Sequence, residues 1–141
     1  MIWPWKKRRP QQPAHLRTGR WGEQQARRAL AAKGYKLLGM RVRVGRRDEI
    51  DIVARKGEVL VFVEVKTRKN ELFGTPASAV DRRKRDRLSR AAVRYLARLK
   101  QKPPYIRFDI VEVIGERGGA SPEIRHIENA FTMNPKYRVR W

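Results

Sequence analysis

The stretch Glu49-Ile50-Asp51-Ile52-Val53-Ala54-Arg55-Lys56-Gly57-Glu58-Val59-Leu60-Val61-Phe62-Val63-Glu64-Val65-Lys66 decides how this chain folds. Two runs rich in β-branched and apolar residues flank a short polar break that contains glycine, the pattern of a β-hairpin. The second run places valine at 59, 61, 63 and 65 on one face and Leu60, Phe62, Glu64 and Lys66 on the other. Side chains alternate across a strand. Both faces are apolar at its start, so it reads as a central strand. A two-residue turn at Lys56-Gly57 sets Glu49 opposite Glu64 and Asp51 opposite Phe62. Asp51 and Glu64 then become diagonal neighbours, with Cβ atoms within about 7–8 Å. Lys66 follows on the same face. A loop of four residues keeps this parity, whereas an odd loop breaks it.

Working outward, residues 35–44 read as a strand before the hairpin. A helix is expected over residues 19–33, capped by Thr18 and stopped by Gly34. Its apolar stripe is Ala26, Ala29 and Leu30. Glu23 falls on the same stripe, three and seven residues ahead of Ala26 and Leu30. A carboxylate there faces the core, or else serves as an N-terminal acid favoured by the helix dipole. After the hairpin, Asp81 caps a helix over residues 82–100, with a stripe of Leu88, Ala91, Ala92, Tyr95, Leu96 and Leu99. Pro103-Pro104 ends it. A strand at 105–114, a glycine-rich loop at 115–121 and a short strand at 124–127 complete the chain. The strand–helix–strand passage makes the last core strand parallel to a neighbour through a right-handed crossover. The class is α/β, a mixed sheet flanked by helices.

The 141 residues hold 35 Lys and Arg against 14 Asp and Glu, a net charge of +21. An excess of that size points to a polyanionic partner. The absence of cysteine excludes a disulfide framework, a thiolate zinc site and a cysteine nucleophile. With only His15 and His126, a histidine-built metal site or a histidine-paired nucleophile is disfavoured. No apolar run approaches the roughly 20 residues that span a bilayer. The N-terminus places its apolar residues before its charges, the reverse of a secretory signal. A cytoplasmic protein without membrane contact is expected. No phosphate-binding GxxxxGK[ST] loop occurs.

Carboxylates gathered on one face beside apolar residues repel one another and resist desolvation. Lys66 supplies one compensating charge. A divalent cation would supply the rest, and all-oxygen ligation selects a hard ion such as Mg²⁺ or Mn²⁺. Such an ion polarises a phosphoryl oxygen and acidifies bound water, and a neighbouring lysine orients that water or stabilises developing charge. The bland alternative is an exposed acid–lysine cross-strand pair, common on sheet faces.

Asp51 followed by Glu64-Val65-Lys66 resembles the PD-(D/E)xK pattern of restriction-endonuclease-like nucleases. The strings Gly22-Glu23, Glu49-Ile50-Asp51-Ile52-Val53-Ala54, Phe62-Val63-Glu64-Val65-Lys66-Thr67-Arg68, Ala79-Val80-Asp81 with Lys84, and Arg107-Phe108-Asp109 are similar to the bacterial YraN family. That resemblance covers about residues 17–131. It implies a helix–three strands–helix–strand core like that of archaeal Holliday-junction resolvases. It also implies Asp51, Glu64 and the Val65 carbonyl as metal ligands, Lys66 as the catalytic lysine and Glu23 as a helix acid joining the site. Two departures stand out. Asp48 takes the place of the usual glycine before Glu-Ile-Asp, and Gly45-Arg46-Arg47 replaces an Asn-aromatic-Arg signature.

Arg82, Arg83, Lys84, Arg85, Arg87 and Arg90 crowd the start of the second helix, and Arg41, Arg43, Arg46, Arg47, Arg68 and Lys69 lie near the proposed site in sequence. Such residues bind phosphates without reading bases. Arg46, Arg47, Arg68, Arg82, Arg83, Lys84, Arg85 and Arg87 are taken as the nucleic-acid contacts, with DNA favoured over RNA. The organisation expected is a basic tail over residues 1–16 (Trp3 and Trp5 included), a domain over 17–133 and a basic tail over 134–141. The leading expectation is a Mg²⁺- or Mn²⁺-dependent nuclease, structure-selective or nonspecific, on DNA. The rival is an idle nucleic-acid-binding module. A ribosome- or RNA-associated protein rests on charge alone, and a homodimer on fold analogy alone.

Overall fold

The computed structural model describes residues 14–70 and 80–137. The tail tryptophans Trp3, Trp5 and Trp141, and Ala79 of the motif before the second helix, lie outside these residues. Two helices and five strands follow in the order α1 (Ala14–Ala32), β1 (Lys36–Val44), β2 (Asp48–Lys56), β3 (Val59–Arg68), α2 (Arg82–Ala97), β4 (Tyr105–Ile114) and β5 (Glu123–Phe131). The strands form one sheet in the order β1-β2-β3-β4-β5. Only β3 and β4 are parallel; the other three pairs are antiparallel. The sheet is therefore mixed, β3 is central, and the α/β class holds. The architecture is consistent with a restriction-endonuclease-like core.

Each helix covers one face. Ala26 and Leu30 of α1 pack on Ile52, Val61, Val63, Val111 and Val113. Leu88, Ala91, Ala92 and Leu96 of α2 pack on Val53, Leu60, Phe62, Phe108, Ile110 and Phe131. The alternation of β3 supplies both layers, its odd valines to one side and Leu60 and Phe62 to the other. Burial of each such side chain is worth roughly 1.5–3 kcal/mol, so the site at the end of β3 is mounted on a central strand packed on both faces.

The hairpin register differs from the expected one. Lys56 pairs with Val59 and Ile52 with Val63, so the turn is Gly57-Glu58 rather than Lys56-Gly57. Asp51 is thus not opposite Phe62, and Glu49 is not opposite Glu64. Glycine takes the first loop position at φ 59°, the left-handed backbone that hairpin loops of this length demand. The shift is by an even number, so the shared face of Asp51 and Glu64 survives.

Helix α1 begins at Ala14, earlier than Thr18 allows, so Thr18 is not its cap. It stops at Ala32, with Gly34 at φ 87° just beyond. Asp81 does cap α2, accepting from the Lys84 N–H at 2.9 Å. The helix ends at Ala97 instead of 100, where Lys102 Nζ binds the terminal carbonyls of Leu96 and Leu99. Strand β5 runs past 127 to Phe131. A register shift opposite Phe108 and Ile110 and a left-handed Asn129 absorb the irregularity. No helix among the described residues is long and apolar enough to cross a membrane.

Candidate active site

The paired register of β2 and β3 ends at Ile52 and Val63. Asp51 and Glu64 are the next residues on the two strands, at the mouth of the fork. There the Val65 N–H donates to Asp51 Oδ2 at 2.9 Å. Asp51 and Glu64 are close enough to share a hydrogen bond between their carboxyl groups. Burial, then the charge of Glu64, pushes the Asp51 carboxyl up to about 7.

Two amines face this pair. Lys66 continues β3 beside Glu64, and burial, then the neighbouring Lys84, lowers its amine to about 8. Lys84 comes from the first turn of α2, and its Nζ lies 2.7 Å from Glu64 Oε1, with both side chains largely buried. Burial pulls the Lys84 amine down, but its hydrogen bonds with Glu64 and Lys66 and the charge of Glu64 together outweigh that and leave it raised. An amine near neutrality beside a carboxyl near neutrality is the pairing in which protons move at working pH.

Glu23 reaches the same cleft from α1. The helix begins nine residues earlier, so a role at the N-terminal dipole is excluded. Its position depends on a close helix–strand crossing. A Cβ built on Gly22 would lie 1.9 Å from Thr67 Oγ1, so only glycine lets α1 approach β3 there. Glu23 Oε2 accepts from Arg41 Nε at 2.6 Å. Arg41 occupies a left-handed backbone at φ 50° in the β1 strand, a conformation that costs roughly 1–2 kcal/mol for a residue with a Cβ. Glu49 is exposed and does not line the cleft, so it is not one of the acids of the site.

The cleft has a volume of about 700 Å³; Glu23, Asp51, Glu64 and Lys66 line it with Thr18 and Gly115. Its donor set is two adjoining carboxylates and the backbone of Val65, all hard oxygens. Among the described residues no group of three or more His, Cys, Asp or Glu side chains assembles into a metal-binding cluster. Two carboxylates suffice for Mg²⁺, which keeps several waters and completes its shell with substrate phosphate. The repulsion expressed at Asp51 marks the point in the cleft where added positive charge would be most stabilising.

The remaining basic residues separate into groups. Arg82, Arg83 and Arg87 are exposed on α2, and Arg46 and Arg47 are exposed in the β1–β2 turn. Arg83 and Arg87 share a groove of about 500 Å³ with Lys84, Arg90 and the acids Asp81 and Asp86. Arg68 lines the cleft, with its Nε 3.4 Å from the buried Glu112. Arg85 lies over the Phe131 ring and donates to the Val80 carbonyl. Arg90 is engaged structurally, making two 2.8 Å bonds to buried Asp48. That pair accounts for the departure at position 48: the acid ties the start of β2 to α2.

Sequence reasoning placed Lys84 on the DNA surface and did not single out Arg41 as the partner of Glu23 or Glu112 as a buried acid. For Lys84 a signal existed. It precedes Leu88 and Ala91 by four and seven residues, on the apolar stripe of α2.

The profile of the uncharacterised protein family UPF0102 matches residues 22–113. A UPF0102 protein of Symbiobacterium thermophilum is 50% identical over 115 residues, 82% of this chain and 96% of the relative. One from Parafrankia sp. is 47% identical over the same shares, and one from Syntrophomonas wolfei 43% identical over 80% of this chain and 96% of its own length.

Proposed function

The chain belongs to the UPF0102 family, the YraN-like family that its motifs resemble, and from that premise we propose that it is a metal-dependent nuclease of the PD-(D/E)xK type that hydrolyses phosphodiester bonds in DNA. The observation that carries this reading is the contact of Asp51 with Glu64 at the fork of β2 and β3, faced by the amines of Lys66 and Lys84. Asp51, Glu64 and the Val65 carbonyl would hold the Mg²⁺ or Mn²⁺. When bound, the ion supplies Lewis-acid polarisation of a phosphoryl oxygen and a more acidic water. The chain's own groups do the rest. Lys66, with its amine near 8, takes or orients a proton of the attacking water. Lys84 and Arg68 oppose the negative charge that develops on the phosphate. The Arg83 and Arg87 side of α2 holds the backbone without reading bases. Cutting is accordingly structure-selective or nonspecific.

Incubation of the purified protein with Mg²⁺ or Mn²⁺ and linear, flapped or four-way DNA tests the reading. We expect cleavage that requires the ion and falls by about a thousandfold in Glu64→Ala, a loss of several kcal/mol of transition-state stabilisation. Cleavage that persists in both Glu64→Ala and Lys66→Ala refutes it.

One observation favours a second reading, an idle nucleic-acid-binding module. Two of the three acids already have protein cations, Lys84 on Glu64 and Arg41 on Glu23. Under that reading the protein binds DNA equally with and without the ion, cuts none, and Glu64→Ala behaves as the parent.

A further inference from the structure

We propose that a second basic track, along α1 and over the β4–β5 turn, carries the arm of nucleic acid leaving the cleft and binds its sugar–phosphate backbone without base readout. The inference rests on the reading that the cleft takes nucleic acid. Arg17, Arg20 and Arg28 follow one side of α1 at helical spacing, with Gln24 between them. Arg117 joins them from the turn after β4. These four arginines line a groove of about 500 Å³ around the Trp21 ring, and no acid is among its described lining residues.

Continuity with the cleft identifies the occupant. A hollow of about 370 Å³ lies between Arg17, Thr18, Arg117 and Gly118, sharing both arginines with the groove. Thr18 is also a wall of the cleft that holds Asp51 and Glu64. Cleft, hollow and groove therefore adjoin in one path. From Thr18 to Arg28 the helix rises about 15 Å, the length of about four nucleotides of one strand of a duplex at 3.4 Å each. Four guanidiniums gathered around one groove make a strongly positive surface, and a regular polyanion binds such a surface while releasing its own counterions. Trp21 packs against the core beneath, so the groove offers charge and hydrogen bonds rather than an apolar wedge. That character suits phosphates better than a lipid bilayer or an apolar peptide.

The test is a length series of end-labelled duplexes, bound in EDTA so that nothing is cut and followed by fluorescence anisotropy at several salt concentrations. The parent is compared with Arg20→Glu/Arg28→Glu/Arg117→Glu and, as a control on the other face, Arg83→Glu/Arg87→Glu. Circular dichroism confirms folding of each. We expect the parent to gain affinity as an arm of about four base pairs is added. The α1 triple variant loses that gain, and its slope of log K against log salt flattens by roughly 2–3 for three lost phosphate contacts. The α2 control weakens at every length. A triple variant with unchanged length dependence and slope overturns the track. So does one that loses binding to anionic lipid vesicles while keeping its DNA affinity. If cutting still depends on Glu64 in that case, only the track fails; a parent that binds no DNA sinks both readings.

Discussion

Asp51 and Asp109 are carboxylates set into one sheet, on β2 and β4, and their surroundings are opposite. Asp109 is fully buried and accepts four hydrogen bonds: Arg107 Nε at 2.7 Å, Arg107 Nη2 at 2.8 Å, His126 Nε2 at 2.7 Å and the Asn129 N–H at 3.0 Å. Lys33 donates to the other nitrogen of His126, and Arg107 also reaches the Tyr35 hydroxyl. Burial alone would raise Asp109, but His126, Arg107 and the Asn129 N–H hold it below the usual carboxylate range. Asp51 receives one backbone N–H and faces another acid, so burial and Glu64 prevail and its carboxyl rises to about 7. Satisfaction by fixed protein donors makes an acid structural. An acid left short of positive partners is available to something that arrives from outside.

The largest effect expected from this contrast is on folding. Asp109→Ala leaves the half-buried Arg107 guanidinium and the buried His126 ring without their shared acceptor and should cost about 3–5 kcal/mol in urea unfolding. Asp51→Asn, which keeps an oxygen for the Val65 N–H and removes a repulsion, should match or exceed parental stability at pH 8. Equal losses in the two variants would erase the distinction.

Next comes pH. A raised acid stabilises the fold only while protonated, so the contribution of Asp51 is complete below about 4 and declines as pH rises toward 7 in metal-free protein. Asp109, lowered, contributes above its ordinary titration and loses that contribution as pH falls below about 4. Thermal unfolding across pH 3–8 should show both limbs, and Asp51→Asn should remove the upper one. In the same way Mn²⁺ binding should release a proton at pH 6 and little at pH 8, read by calorimetry in buffers of different ionisation enthalpy.

Lys84→Met removes the protein cation nearest Glu64. Metal-free stability should fall, by about 1–3 kcal/mol for a hydrogen bond to a charged group, and added Mn²⁺ should restore more of it than in the parent. No extra rescue would mean that Lys84 does not balance the acid pair. The smallest effect is Asp81→Ala, worth about 1 kcal/mol as a lost helix cap. Because that cap sets the turn carrying Lys84, cleavage should weaken along with helix stability.

Much of this was legible in the sequence, for reasons particular residues make plain. The limits of β4 follow from Pro104 before it and Gly115 after it, and α2 begins where Asp81 can cap it. Parity alone placed Asp51 and Glu64 together, and parity is immune to an even slip, which is why the wrong turn did not mislead about their shared face. The slip itself was illegible because Lys56-Gly57 and Gly57-Glu58 both offer glycine to a two-residue loop. Arg41 was hidden for a different reason. Its left-handed backbone is imposed by tertiary packing, and its partner is eighteen residues away on another layer. The Asp109 cluster draws on α1, β1's approach, β4 and β5, and no local spacing reveals such a convergence.

The hairpin turn has a practical consequence. Gly57 and Glu58 are exposed, and Glu58, unlike the left-handed Gly57, carries a side chain without backbone strain. Seven residues separate Gly57 from Glu64, about 23 Å along β3 at 3.3 Å each. A fluorophore or surface tether attached at this tip would hold the molecule by its far pole and leave the working end open to whatever is offered in solution.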